Sequence, residues 1–176
     1  MRTFLVVSAL ACSLIAVVAR AADPPAKPAK LPAAVAAGLK SVEDTCREVG
    51  GKPRTADAVK RADLNGDGKE DYVLYLGWVD CDGAASIYGD REKGVAVYVG
   101  DGAGGAVDAF SDSVFDAKIE GAGADAKVWL NVSGGQCGKP PARDFASENF
   151  CDRALVWNAK AKKFDYAPVS TIRMIQ

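Results

Sequence analysis

The 176-residue sequence contains no histidine, and its 22 basic residues nearly balance its 23 acidic ones. The absence of histidine excludes Ser-His-Asp and Cys-His catalysis, histidine metal ligands and an imidazole pH switch. The near balance of charge gives no electrostatic drive toward nucleic acid, so no nucleic-acid partner is expected. No GxGxxG motif opens a predicted helix, and the sequence contains no GxxxxGK[ST] motif. A chain of this length is too short for two ordinary domains and is expected to form one.

Residues 1–21 have the layout of a secretory signal peptide, with a basic start, an apolar run and small residues at the end. The apolar run, Thr3 to Val18, has about 16 residues, fewer than the roughly 20 that span a bilayer. Cleavage after Ala21 is therefore favoured over a membrane anchor, and the mature chain is expected to be periplasmic or secreted. It would carry 20 basic and 23 acidic residues and would not associate with a membrane.

The mature chain divides into a short linker and one domain. Residues 22–32 contain four prolines, which predict an extended Pro/Ala/Lys-rich linker before the single domain at 33–176. Apolar residues recur at three- and four-residue steps from Pro32 to Glu48 and predict a helix. Short strands are predicted at 72–76, 94–99, 114–119, 127–132, 153–157 and 163–166, the last two as a hairpin. The predicted fold is α+β and mostly β, an antiparallel sheet with the helix on one side or edge.

Four cysteines remain in the mature chain, namely Cys46, Cys81, Cys137 and Cys151. An even number in an exported chain predicts disulfides that staple the fold. Three pairings are possible, and Cys46–Cys81 with Cys137–Cys151 is favoured because each pair lies in its own half of the chain. A four-cysteine zinc site is disfavoured because no two of these cysteines are two to four residues apart.

Residues 63–71 have a pattern typical of a calcium loop. Oxygen-bearing side chains stand at positions 1, 3, 5 and 9, glycine stands at position 6, and the backbone carbonyl of position 7 supplies a further oxygen. The predicted ligands are Asp63, Asn65, Asp67, the carbonyl of Lys69, and Asp71. Extracellular modules often bind Ca²⁺ at about 10⁻⁴–10⁻³ M, which suits a permanently filled site, so a structural ion is preferred over a sensing one.

The loop departs from an EF-hand because Leu74 replaces the bidentate glutamate of that motif and a strand pattern follows. Residues 63–76 resemble the DxDxDGxxD calcium loops of the FG-GAP/integrin-propeller and VCBS type, in which a β-hairpin carries the ion. The resemblance implies calcium binding, and the single loop excludes a multi-bladed propeller. The alternative is a hairpin turn that binds no ion, since Asp, Asn and Gly form turns unaided.

A wider resemblance is carried by several short segments in a fixed order along the chain. They are Cys-x-x-x-Gly-Gly-Lys-Pro at 46–53, the DLNGDGKxDYVL loop, Cys-Asp-Gly-Ala-Ala-Ser at 81–86, Cys-Gly at 137–138, and Leu-x-Trp ending at Trp157. Together they resemble a group of small exported proteobacterial proteins with no assigned activity, over most of the mature chain. The resemblance implies an exported, disulfide-bonded domain with a calcium loop, and it implies no reaction.

The expected function is binding rather than catalysis, because nothing in the sequence selects a catalytic pair among the 23 acidic residues. The preferred interpretation is a monomeric, non-enzymatic calcium-binding domain with a protein or cell-wall partner. The alternatives are a periplasmic inhibitor or immunity-type protein against a cell-wall hydrolase, a glycan or cell-wall binding module, and, least favoured, a small carboxylate-dependent hydrolase.

Trp129 is a candidate stacking surface for a glycan, although tryptophans more often pack over sheets. The long polar loop at 133–149 is a second candidate recognition surface.

Overall fold

A computed structural model describes residues 30–140 and 142–175. The predicted signal peptide and most of the predicted linker lie outside these residues. The described part contains one α-helix, α1 (Ala33–Glu48), which agrees with the predicted range. The strands are β1 (Lys52–Arg54), β2 (Val59–Ala62), β3 (Asp71–Tyr75), β4 (Asp80–Asp82), β5 (Lys93–Gly100), β6 (Ala106–Val114), β7 (Asp116–Glu120), β8 (Lys127–Ser133), β9 (Phe150–Asn158), β10 (Lys163–Tyr166) and β11 (Arg173–Met174). The prediction of an α+β, mostly β fold is confirmed.

The strands pair antiparallel throughout the described residues, and they form two main sheets and one small sheet. The first main sheet has the order β2-β3-β5-β6. The second has the order β10-β9-β8-β7, and β11 also pairs with β9. Strands β1 and β4 form the small sheet. The sequence predicted the strands correctly as antiparallel but placed them in a single sheet.

Strand β3 lies in the middle layer of the fold and is buried at all five of its positions. Val73 and Tyr75 pack in a core that the two main sheets share. Tyr72 and Leu74 pack on the opposite face against buried residues of α1. The layers are therefore the helix, the first sheet and the second sheet, and this double cover explains why the strand is apolar on both faces.

Strand β8 supplies the centre of the shared core. Its alternating residues Val128, Leu130 and Val132 are all buried there, as the sequence pattern predicted. Leu130 is completely buried in this core, which it shares with Val73 and Tyr75 of β3.

The segment predicted as one strand at 114–119 is divided between the two sheets. Val114 ends β6, which pairs with β5 in the first sheet, and Asp116 begins β7, which pairs with β8 in the second. Phe115 therefore marks the point where the chain crosses from one sheet to the other. The preceding strand β6 was not predicted, because it is an edge strand with exposed polar residues that hide its periodicity.

Both favoured disulfides are present, which confirms the predicted pairing. Cys46–Cys81 joins the last turn of α1 to β4 across 35 residues, and Cys137–Cys151 closes the loop before β9 across 14 residues. All four cysteines are buried. Disulfides of this kind indicate a non-cytoplasmic environment. Among the described helices, none has the length and apolar character needed to cross a membrane.

Candidate functional site

The candidate calcium loop connects β2 and β3, which pair antiparallel with Ala62 opposite Asp71. Asp63 to Glu70 therefore form the turn of a hairpin, and the segment that follows is a strand, as predicted. Gly66 and Gly68 adopt positive φ angles of 77° and 79°. This backbone conformation is accessible to glycine at little cost, so both residues permit the sharp turn.

Asp63 organises the turn by accepting hydrogen bonds from three backbone amides. Its Oδ1 atom accepts from the N–H groups of Gly66 at 2.8 Å and Asp67 at 3.1 Å, and its Oδ2 atom accepts from Gly68 at 2.9 Å. The Asn65 side-chain oxygen accepts a second bond from Asp67 N–H at 2.9 Å. The first two predicted ligands thus both point toward the interior of the turn.

Asp67 and Lys69 lie on the exposed side of the loop. The Asp67 carboxylate accepts the Lys69 N–H at 3.0 Å, and its second oxygen lies 3.4 Å from the Lys69 ammonium. An ionised carboxylate offers about four lone-pair positions, so Asp67 keeps acceptor capacity beyond these contacts.

Asp71 differs from the other predicted ligands because its side chain is completely buried. Its Oδ2 atom accepts the Leu64 N–H at 2.9 Å, and its Oδ1 atom accepts the Gly100 N–H at 3.0 Å. Burial raises the pKa of Asp71, the two amide bonds lower it, and the nearby charge of Asp67 raises it further. No lysine or arginine within the described ranges forms a salt bridge with this carboxylate. The buried charge is therefore balanced by backbone dipoles.

The bond from Gly100 joins the loop to the glycine-rich turn at 100–105. A Cβ atom at Gly100 would lie 2.1 Å from the carbonyl oxygen of Glu70, so only glycine allows this approach. The loop and the turn are therefore held against each other by backbone contact as well as by Asp71.

As arranged in the described residues, no group of three or more His, Cys, Asp or Glu side chains could hold a metal ion. The carboxylates of Asp63, Asp67 and Asp71 accept hydrogen bonds from backbone amides instead, all within the hairpin except the bond from Gly100 to Asp71. Their oxygens are nevertheless the hard donors that Ca²⁺ prefers, and they lie within one nine-residue turn. Calcium binding at this loop stays a prediction.

Trp129, the candidate glycan surface, has no open ring face. It is 9% exposed, packs with Ala154 and Ala167, and carries the Arg173 guanidinium 3.5 Å above its ring centroid. It lies on β8, whose neighbours in the second sheet are β7 and β9. The structure therefore places this candidate stacking surface beneath Arg173.

The loop at 133–149 contributes Phe145 to an aromatic cluster that the sequence did not predict. The other two members, Phe115 and Phe150, lie outside the loop. The ring centroids lie 4.9 Å apart for Phe115 and Phe150, 5.4 Å for Phe145 and Phe150, and 6.0 Å for Phe115 and Phe145. Phe145 is 43% exposed, and the Arg91 guanidinium lies 4.0 Å over its ring. Only the presence of a lone aromatic residue in a polar loop could have drawn attention to Phe145.

Comparison with known proteins finds no matching family model, no similar curated protein and no similar solved structure.

Proposed function

We propose that this chain is an exported, non-enzymatic calcium-binding domain in which the ion stabilises the fold of a binding protein. The side chains of Asp63, Asn65, Asp67 and Asp71 and the carbonyl of Lys69 would hold the ion. Bound Ca²⁺ would supply a fixed positive charge that joins the two strands of the hairpin. The FG-GAP/VCBS-like character of the loop belongs to the same proposal.

The observation that carries this proposal is the buried carboxylate of Asp71. A completely buried carboxylate is costly unless a cation or several hydrogen bonds compensate its charge. Two backbone amides partly compensate it here, while burial still raises its pKa. A cation in the adjacent turn would complete the compensation, and the turn offers two further carboxylates at Asp63 and Asp67.

A structural role is favoured over a sensing role by the position of the loop. Asp71 begins the fully buried strand β3 and bonds to the turn after β5. An ion held there would fix the connection between neighbouring strands of the first sheet. Location in the periplasm or outside the cell would suit such a site, because Ca²⁺ is abundant enough there to fill a weak one.

Calorimetric titration of Ca²⁺ into the chelator-stripped mature chain tests the proposal. We expect saturable heat with a Kd of about 10⁻⁴–10⁻³ M and a weaker response to Mg²⁺. Asp67→Ala should abolish the heat, whereas Asp101→Ala should preserve it. Asp101 is a suitable control because its carboxylate also accepts backbone amides in an exposed turn, those of Ala103 and Gly105, but is not a predicted ligand. Absence of heat up to several millimolar Ca²⁺ would refute the proposal.

A further inference from the structure

A cavity of about 290 Å³ lies beside Phe145, and we call it the Phe145 cavity. Its lining residues come from four separate segments and are Arg91, Glu92, Phe115, Ser133, Phe145 and Glu148. Ligand pockets occupy roughly 300–1,000 Å³, so this volume lies at their lower limit and has room for a small occupant such as one side chain.

The walls of the cavity are held in place by hydrogen bonds. Asp144 accepts the Ser147 N–H at 2.9 Å and the Ser147 hydroxyl at 2.8 Å, which fixes the short turn that carries Phe145. The Phe115 N–H donates to the Asn131 carbonyl at 2.9 Å. The Cys137–Cys151 disulfide closes the loop at its base. A partner would therefore lose little free energy in ordering this surface, because it is already ordered.

The charges of the cavity are not paired with one another. Glu92 has no hydrogen bond or salt bridge to any residue in the described ranges, and Glu148 accepts only the N–H of Asn149, at 3.1 Å. Arg91 contacts the ring of Phe145 rather than a carboxylate. Two carboxylates against one guanidinium give the cavity a net negative charge, next to a partly exposed aromatic ring.

From this combination we infer that the Phe145 cavity receives a basic side chain of a partner protein. The carboxylates of Glu92 and Glu148 would pair with its cationic end, and Phe115 and Phe145 would contact its aliphatic stem. Aromatic residues such as Phe145 are enriched at protein interfaces relative to the rest of the surface. The inference is independent of calcium binding.

Chemical-shift perturbation of the ¹⁵N-labelled mature chain tests this assignment, with N-acetyl-lysine methylamide as the probe. We expect saturable shifts at the amides of the lining residues, with a Kd of about 1 mM or weaker for so small a ligand. N-acetyl-norleucine methylamide, which lacks only the ammonium group, should bind about threefold to tenfold more weakly than the lysine probe. N-acetyl-glutamate methylamide should give no saturable shifts.

Three variants make the test specific. The double change Glu92→Gln and Glu148→Gln should weaken lysine-probe binding by about threefold to tenfold, as loss of two partly exposed ion pairs implies. Glu48→Gln, at the exposed end of α1, should leave it unchanged. Arg91→Ala should preserve or strengthen it, because a like charge is removed.

Four outcomes would overturn the inference. The norleucine probe could bind equally well, which would make the recognition purely apolar. The glutamate probe could bind and lose its binding in Arg91→Ala, which would make this an anion site. Shifts that depend on protein concentration without a probe would assign the surface to a second copy of the chain. Lastly, no saturable shift up to about 50 mM lysine probe would leave the cavity without this ligand.

Discussion

Replacing Asp71 with asparagine separates its two proposed roles, as an acceptor for backbone amides and as a calcium ligand. Asparagine keeps the shape of the side chain but offers only one acceptor oxygen. One of the N–H groups of Leu64 and Gly100 must therefore lose its partner, which costs about 1–3 kcal/mol for a buried group. Removal of a charge whose pKa is raised by burial offsets part of this cost. In the presence of a chelator we therefore expect Asp71→Asn to lower the free energy of unfolding by about 1–2 kcal/mol.

The calcium-dependent part of the effect follows from linkage between binding and unfolding. At 10 mM Ca²⁺, a site with a Kd of about 10⁻⁴–10⁻³ M stabilises the folded state by about 2.7 to 1.4 kcal/mol. The unmodified chain should show this gain, and Asp71→Asn should not. The variant should therefore be about 2–5 kcal/mol less stable than the unmodified chain in calcium, which exceeds its deficit in chelator.

Urea unfolding followed by tryptophan fluorescence measures both quantities, with the disulfides kept oxidised and linear extrapolation to water. Asp101→Asn is the matched control, because Asp101 accepts the N–H groups of Ala103 at 2.7 Å and Gly105 at 2.9 Å in an exposed turn. Asp101→Asn should lower the free energy of unfolding by at most about 1 kcal/mol and should keep the full stabilisation by Ca²⁺. Equal stability of the unmodified chain in calcium and in chelator would refute the reasoning, as would an undiminished calcium gain in Asp71→Asn.

Three further predictions concern the fold. Leu130→Ala, at a completely buried core position, should lower the free energy of unfolding by about 2–5 kcal/mol in urea titrations. Gly100→Ala should lower the melting temperature sharply, because its Cβ would lie 2.1 Å from a backbone carbonyl oxygen, whereas Gly135→Ala, with open space around it, should not. Burial raises the pKa of Tyr75 to about 12, so its neutral form is favoured in the folded state. The resulting stabilisation, about 2–3 kcal/mol, is complete below pH 10 and is lost as the pH rises through 12, and Tyr75→Phe should flatten this decline.

Local patterns in the sequence predicted individual elements well, because each depends on neighbouring residues. The three- and four-residue periodicity gave the helix, and the alternation of Val128, Leu130 and Val132 gave the buried face of β8. The division into two sheets could not be predicted in this way. Periodicity shows that a face is apolar but not which element covers it, so the crossing at Phe115 was read as the interior of one strand.

The candidate site shows the same limit. The spacing within residues 63–71 was enough to predict a tight turn. The hydrogen bonds that Asp63 accepts there come from residues only three to five positions later in the chain. The bond between Asp71 and Gly100 crosses 29 residues, and nothing in the spacing indicates it. The contact of Arg173 with Trp129 and the lining of the Phe145 cavity also bring together residues that are far apart in the sequence.

Strand β3 connects the two candidate sites, and the distance along it argues that they act separately. Asp71 at its first position belongs to the candidate calcium loop. The hydroxyl of Tyr75, at its last position, donates a 3.0 Å hydrogen bond to the carbonyl of Phe115, and Phe115 lines the Phe145 cavity. The two positions are four residues apart, about 13 Å along a strand. Side chains more than about 10 Å apart usually contribute to stability independently. Asp71→Asn and Tyr75→Phe should therefore destabilise additively, to within about 0.5 kcal/mol in a double-mutant cycle. A larger coupling would contradict this independence and would mean that the loop and the cavity are energetically linked through β3.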